Sequence, residues 1–349
     1  MFNRKTTALA TTALAAALAI VAAGPSDGAS TVPITVCGQT VTSNAVLTKD
    51  LVCSGSSGIS VGASGITIDL KGFTLRGDLQ NGHTGIDDPG GFDNLTVKNG
   101  TLRNFAVGVF AFNGADKVSV SNVVTSGNVG NGIYVAGASA SVKSSNSSEN
   151  GGSGVNVVGA AAKIQSSTAS GNKAAGITIT GDSGSVSSST GSGNGTYGIF
   201  ITGGSGSVST STASGNAFYG ILVTGGPGNK IQSSSASGNG QAGIAAGGNF
   251  ASVKSSTAFG NKSVGITVSG TSLSITSSAA SGNAAMGINA VGDAATIKGN
   301  HAESNGFLAG GSDLIGLGIS ATGYTTAPVG TNVARGNDDP TGCNPSALC

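Results

Sequence analysis

The chain has 349 residues, of which 61 are glycine, 9% are charged and 4% are aromatic, with a formal net charge of +1. That balance, with lysines scattered along the chain, leaves no basic stripe for phosphates and argues against a nucleic-acid partner. Glycine-rich chains without a Gly-X-Y period are often disordered, but disorder goes with low hydrophobicity. Here the mean hydropathy is +0.18 and Val and Ile recur at fixed intervals, so a folded chain is expected.

Residues 1–23 read as a cleavable signal peptide. Arg4 and Lys5 form its charged start, Ala8 to Ala23 is an Ala/Leu-rich run, and Val21-Ala22-Ala23 puts small residues at a cleavage site. The run is short and alanine-rich for a membrane span, and no later stretch could cross a membrane. The protein is therefore expected to be secreted, to the exterior, the periplasm or the cell surface. Export permits disulfides. Cys37 and Cys53 sit near the mature start and Cys343 and Cys349 at the end, which suggests one local staple at each end. Residues 24–64 read as an N-terminal linker and cap, and 65–117 as irregular first coils.

From residue 118 to 306 the chain repeats. Asn128, Asn150, Asn172, Asn194, Asn216, Asn239, Asn261, Asn283 and Asn305 are spaced by 22 residues, with one step of 23 at the Gly225–Asn229 turn cluster. Four residues after each Asn through Asn283 comes Gly, then Ile or Val. Eight residues before Asn150 and each later Asn stands another β-branched residue, from Val142 to Ile297. The apolar positions alternate, as in Ile177-Thr178-Ile179, and helix formers are scarce, so the repeat unit is built of strands and turns. Stacked coils put equivalent side chains about 4.8 Å apart. Ile and Val stacks then fill the interior, and the Asn column bonds backbone and amide neighbours at a turn. The Gly is expected to serve positive φ or a close backbone approach. A small inward column, Ser145 to Ser278 beside Ala169 and Ala213, implies a thin coil on that side. Residues 307–349, where Phe307 to Gly316 interrupts the period, read as irregular last coils and a cap against edge pairing.

This pattern, I-x-x-[S/N]-x-A-x-x-N-x-x-x-G-I, together with Gly65-Ile66-Thr67-Ile68-Asp69-Leu70 and Val97-Lys98-Asn99-Gly100-Thr101, resembles the right-handed parallel β-helix repeat family of pectin-lyase-like architecture. The resemblance implies an all-β, single-stranded right-handed solenoid with caps at both ends. It leaves function open, because the family holds lyases, hydrolases, epimerases, adhesins and scaffolds.

Acids and bases cluster before residue 118, whereas 118–311 holds only Glu149, Asp182, Asp293 and Glu303 as acids. Sugar-chain cleavage or epimerisation needs paired carboxylates or a base with a charge partner, so a catalytic site would fall at His83, Asp87 and Asp88, with Arg103. The segment Gly85-Ile86-Asp87-Asp88-Pro89 has a faint similarity to the Asp-Pro-His signature of alginate epimerases, but Gly90 stands where their His would be. Asp-Asp-Pro-Gly is also ordinary turn chemistry. The motifs of polygalacturonases and the calcium set of pectate lyases are absent, and two His with bridged Cys make a copper site unexpected. No metal or cofactor is expected.

Tyr197, Phe200, Phe218 and Tyr219 fall at equivalent places on two adjacent coils. They form either a sugar-stacking platform or packing beneath the Gly225–Asn229 loop. Between the β-branched column and the Asn, outward columns of Ser and Thr, including Ser166 and Thr168, Thr190 and Thr212, are expected to make a flat hydroxyl array. That array has some similarity to the Thr ladders of ice-binding solenoids. These features favour a non-catalytic secreted scaffold that binds polysaccharide or forms part of a cell-envelope structure. A polysaccharide lyase or epimerase is the alternative, and an ice-binding surface a minor one.

Overall fold

In the computed structural model, residues 31–306, 318–324, 331–337 and 342–349 are described. The expected signal peptide and the interruption at 307–316 lie outside the described residues.

One regular coil shows why the repeat folds as it does. Lys163–Gln165 is a three-residue strand that buries only Ile164. Ser166 then takes φ +50 and turns the chain into the strand Thr168–Ser170, which buries Ala169. Gly171 at φ +64 makes the next corner, Asn172 follows it, and the third strand Ile177–Thr180 buries Ile177 and Ile179. Positive φ carries a steric penalty for residues with a Cβ, and most residues in the two corner columns are serine or glycine, with Thr210 and Glu149 among the exceptions. The strands are short because the apolar alternation lasts only three or four residues before a corner.

Successive coils pair in parallel. Ile164 is beside Val186 and then Val208, and Ile177 beside Ile199 and then Ile221. The third strands make a 14-stranded sheet, and the first and second strands a 24-stranded one. The two strand columns of the larger sheet are joined where Thr96–Arg103 and Ser119–Ser126 run unbroken through both positions. The apolar core is therefore a narrow continuous column inside the coils.

Polar side chains line part of that column, and in the regular coils they form hydrogen-bonded ladders. Asn172 Nδ2 donates to Asn194 Oδ1 at 3.0 Å and to the Ser147 carbonyl at 3.1 Å, while the Asn172 amide N–H donates to the same Oδ1 at 3.0 Å. The same geometry runs from Asn128 and continues past Asn305, whose Nδ2 donates to Asn337 Oδ1 at 2.9 Å. The small Ser column forms a second ladder. Ser167 N–H donates to Ser189 Oγ at 3.2 Å, and Ser167 Oγ donates to the Gln165 carbonyl at 2.9 Å. Serine is thus required there for its hydroxyl as well as its size.

The Gly four residues after each Asn serves close approach rather than positive φ. A Cβ on Gly198 would lie 2.6 Å from Asn216 Nδ2 and 2.7 Å from the Gly220 carbonyl. At the one 23-residue step, buried Asn229 absorbs the insertion. It accepts from Gly206 N–H at 2.9 Å and donates to the Gly226 and Gly247 carbonyls at 3.0 and 2.8 Å.

The coils before residue 118 are packed differently, with Leu47, Leu70, Leu75, Leu95, Leu102 and Phe105 wholly buried. Cys37 is bonded to Cys53 and Cys343 to Cys349, with Cα–Cα separations of 5.5 and 6.0 Å. Asp69 is a structural acid: it accepts from Lys71 N–H at 2.9 Å and Asn99 Nδ2 at 3.1 Å and faces the Lys71 and Lys98 ammonium groups.

Candidate functional site

The outer face of the 14-stranded sheet holds the most concentrated chemistry. Its inward positions are fixed by the Gly-Ile/Val pairs, so the residue after each Ile or Val points outward. Reading across coils by register, one outward column runs Ser60, Asp87, Phe110, Tyr134, Asn156, Thr178, Phe200 and Leu222.

Two aromatic clusters stand on this face. Phe110 lies 5.7 Å from Phe112 and 5.5 Å from Tyr134, centroid to centroid, and both pairs are stacked. Tyr197 lies 4.9 Å from Phe200, 6.3 Å from Phe218 and 6.1 Å from Tyr219. Phe112 and Phe218 are each 43% exposed, so neither cluster is a core. Tyr134 and Phe200 are three coils apart, about 14 Å at the usual strand spacing, with Asn156 and Thr178 between them. The Gly225–Asn229 loop leaves the strand Ile221–Gly225 at the end opposite Tyr219, so it does not cover the second cluster.

The Phe110–Phe112–Tyr134 cluster was not found from the sequence, because Phe110 and Tyr134 are 24 residues apart and fall outside the 22-residue frame. A signal existed: Gly108-Val109-Phe110 repeats Gly132-Ile133-Tyr134, and Gly85-Ile86-Asp87 and Gly58-Ile59-Ser60 continue it upstream.

The four candidate catalytic residues do not converge. Asp87 alone stands on the outward column, half-buried beside Phe110. Burial pushes its carboxyl above the usual carboxylate range, against a hydrogen bond from Thr84. Asp88 points the other way, wholly buried in the inward register that Ala111 and Val135 occupy on the next coils. Its Oδ1 accepts from Phe92 N–H at 3.0 Å, and its Oδ2 has no hydrogen-bond partner. Burial raises its pKa too, opposed by backbone N–H groups of Phe92 and Gly91 and assisted by the charge of Asp87. His83 Nδ1 pairs with Asp78 at 3.3 Å, and Asp78 in turn is held low chiefly by the Gly55 N–H. Arg103 ends a strand of the other sheet, beside Arg76. A single outward carboxylate is therefore what the expected catalytic cluster supplies. Among the described residues no group of three or more His, Cys, Asp or Glu is placed to hold a metal ion.

The hydroxyl array also differs from expectation. Ser144, Ser166, Ser188, Thr210, Ser233, Ser255 and Ser277 have φ between +48 and +51 and form the bend column between two strands. They do not share a flat face with Thr168, Thr190 and Thr212, which are outward on the second strand of each coil. The reason is steric: a corner this tight takes the chain out of the extended region, so strand alternation cannot be carried through it.

Comparison with known structures places the fold. The A-module of the Azotobacter vinelandii mannuronan C-5 epimerase AlgE4 superposes with a TM-score of 0.56 at 14% identity, covering 85% of this chain and 91% of that one. The Dettilon tailspike protein gp208 superposes with a TM-score of 0.50 at 13% identity, covering 84% of this chain and 62% of that one. At such identities the likeness is one of fold. No curated protein sequence matches the chain. The family profile described as right handed beta helix region matches residues 30–190 and 175–334. The chain belongs to the right-handed parallel β-helix family.

Proposed function

We propose that this chain is an exported β-helix scaffold that binds a polysaccharide, without altering it, along the outer face of the 14-stranded sheet. One observation carries the reading: two exposed aromatic clusters, Phe110–Phe112–Tyr134 and Tyr197–Phe200–Phe218–Tyr219, share one face with hydrogen-bonding Asn156 and Thr178 between them. Sugar rings present apolar faces that stack on aromatics and hydroxyls that bond amide and hydroxyl groups. A regular sheet holds both kinds of contact in line for a polymer. The A-module that shares the fold belongs, by name, to an enzyme of mannuronan. The Cys37–Cys53 bond and the Ala/Leu-rich N-terminus behind Arg4 and Lys5 support export to the exterior, the periplasm or the cell surface.

Retention of the chain on a panel of immobilised polysaccharides tests this reading. Wild type should be retained by at least one neutral or acidic polymer, and Tyr134→Ala with Phe200→Ala should weaken retention about tenfold. Equal retention of the variant, with its circular dichroism unchanged, would remove the aromatic face from the function.

A second reading has its own observation. Asp87 stands next to Phe110 on the same face with its pKa raised, as a general acid or base would. On that reading the protein is a polysaccharide lyase or epimerase. Incubation with uronate polymers would then give unsaturated ends or altered epimer content, and Asp87→Asn would abolish it.

A further inference from the structure

In chain order the lysines of the regular coils look scattered, but coil register sorts them onto one face. Residues 118–306 contain seven lysines and no arginine. Five of the seven lie on strands, and all five occupy the first strand of their coil, including Ser141–Lys143, Lys163–Gln165, Lys230–Gln232 and Ser252–Lys254. The other two strand columns carry none. Within the same span the acids Glu149, Asp182 and Asp293 lie outside the strands, and Glu303 stands on the second strand column.

The six successive first strands read Ser-Val-Lys, Lys-Ile-Gln, Ser-Val-Ser, Ser-Val-Ser, Lys-Ile-Gln, Ser-Val-Lys. The central Val or Ile is buried each time, so both flanking residues face out. The order is symmetric about its midpoint. Lys143 is beside Gln165, with Lys163 about 7 Å along the strand. Gln232 is beside Lys254, with Lys230 in the corresponding place. Two equivalent clusters of two lysines and one glutamine result, and all six side chains are exposed. Among the described residues none of these four lysines forms an ion pair. Register carries Lys163 to Ser185, Ser207 and Lys230, so the nearest lysines of the two clusters are three coils apart, about 14 Å.

We propose that this face is a second binding surface, separate from the aromatic one, on which two Lys–Lys–Gln clusters hold successive carboxylates of one acidic polysaccharide chain. Lysine ammonium groups attract the carboxylates, the glutamine amides bond them or neighbouring hydroxyls, and the intervening Ser-Val-Ser strands offer hydroxyls to the sugars between. Several observations select this polymer over nucleic acid. The cations are far sparser than a duplex, with one charge per about 1.7 Å, would engage. The six first strands themselves carry neither arginine nor aromatic side chains for bases or phosphates. The disulfides belong to an oxidising compartment. The two clusters act as linked sites, so their contributions multiply when one chain spans both.

The test uses the full chain in affinity electrophoresis through gels containing polygalacturonate, its fully methyl-esterified form, or duplex DNA, at low and high salt. Wild type should be retarded by polygalacturonate more strongly at low than at high salt, and esterification should remove that salt-dependent component. Lys143→Gln with Lys163→Gln, and separately Lys230→Gln with Lys254→Gln, should each weaken the salt-dependent retardation about tenfold, and the quadruple variant should lose it altogether. Retention of the quadruple variant at wild-type strength would overturn the proposal, as would absence of low-salt binding in the wild type or equally strong retardation by DNA. Tyr134→Ala with Phe200→Ala should leave the salt-dependent component intact. Loss of that component in this variant would assign it to the aromatic face and overturn the proposal, whereas loss of salt-independent binding alone bears only on the aromatic reading.

Discussion

Two regions of one solenoid solve the same packing problem in different ways. Before residue 118 the coils are irregular in length and are filled by volume: Phe105 and six leucines from Leu47 to Leu102 are buried, and the buried polar groups are Asp69, Thr84 and Asp88. From residue 118 to 306 the coils are near-uniform and filled by Val, Ile and Ala with the single Leu273, with Ser and Asn ladders taking the place of bulk. Bulky side chains tolerate coils of unequal length because each packs in its own way. A ladder requires register at its own position, since every amide must meet its equivalent about 4.8 Å away, and extra residues are carried elsewhere in the coil, as between Asn216 and Asn239 and between Asn305 and Asn337.

Cutting one rung of the ladder should give the largest effect. Asn194→Ala strips the Asn172 amide N–H and Nδ2 of their acceptor and removes the Nδ2 donor to the Ala169 carbonyl. A loss of about 4 kcal/mol is expected from several unsatisfied buried groups, measured by denaturant unfolding. The cost should be local to central coils in hydrogen exchange.

The bulky region relies more on its staple. Cys37→Ser with Cys53→Ser opens a loop with a sequence separation of 16 and should cost about 3 kcal/mol. Protection should be lost in the first coils while coils beyond residue 118 stay protected. Uniform loss of protection would show that the two regions unfold as one.

A smaller change probes how closely the regular coils are stacked. Gly198→Ala puts a Cβ against Asn216 Nδ2 and the Gly220 carbonyl and should cost about 2 kcal/mol by overpacking. The same substitution at Gly65 or Gly114 meets no atom within 4 Å, although φ there is positive, so its cost is conformational only.

Asp88 offers a pH probe of the irregular region. Its folded pKa is raised, first by burial, so the folded state binds its proton more tightly than the unfolded chain. The stability this provides is complete below the ordinary carboxyl pKa and is lost as pH rises through the raised folded value. Asp88→Asn removes that loss, so the variant should gain on wild type as pH rises from about 4 to about 7. A stability difference independent of pH over that range would contradict the assignment.

The mildest change concerns the outer surface. Replacing Thr168, Thr190 and Thr212 together by Lys should shift stability by less than about 0.5 kcal/mol per site, because their strand burial is confined to the alternate Ala or Gly positions. Unchanged ice-recrystallisation behaviour in this variant would mark the threonine column as plain surface.

The sequence by itself determined the repeat, its strand content and the inward columns, because a buried position on a 22-residue coil admits few residue types and shows itself as a column. It also marked the Asn positions and three of the aromatic positions now seen within 6.3 Å of Tyr197. Other features were decided by tertiary structure. The bend at Ser166 divided a presumed single strand, because backbone φ is not written in a Ser/Thr pattern. Asp87 and Asp88 were split to opposite sides of one strand, a consequence of alternation that adjacency in sequence conceals. Phe110 was brought against Tyr134, and Lys163 into line with Lys230, only by register summed over coils of unequal length. Interior columns are legible because burial restricts them; an outer face becomes legible only after the register is known, since solvent accepts almost any residue and the face is assembled from strands far apart in the chain.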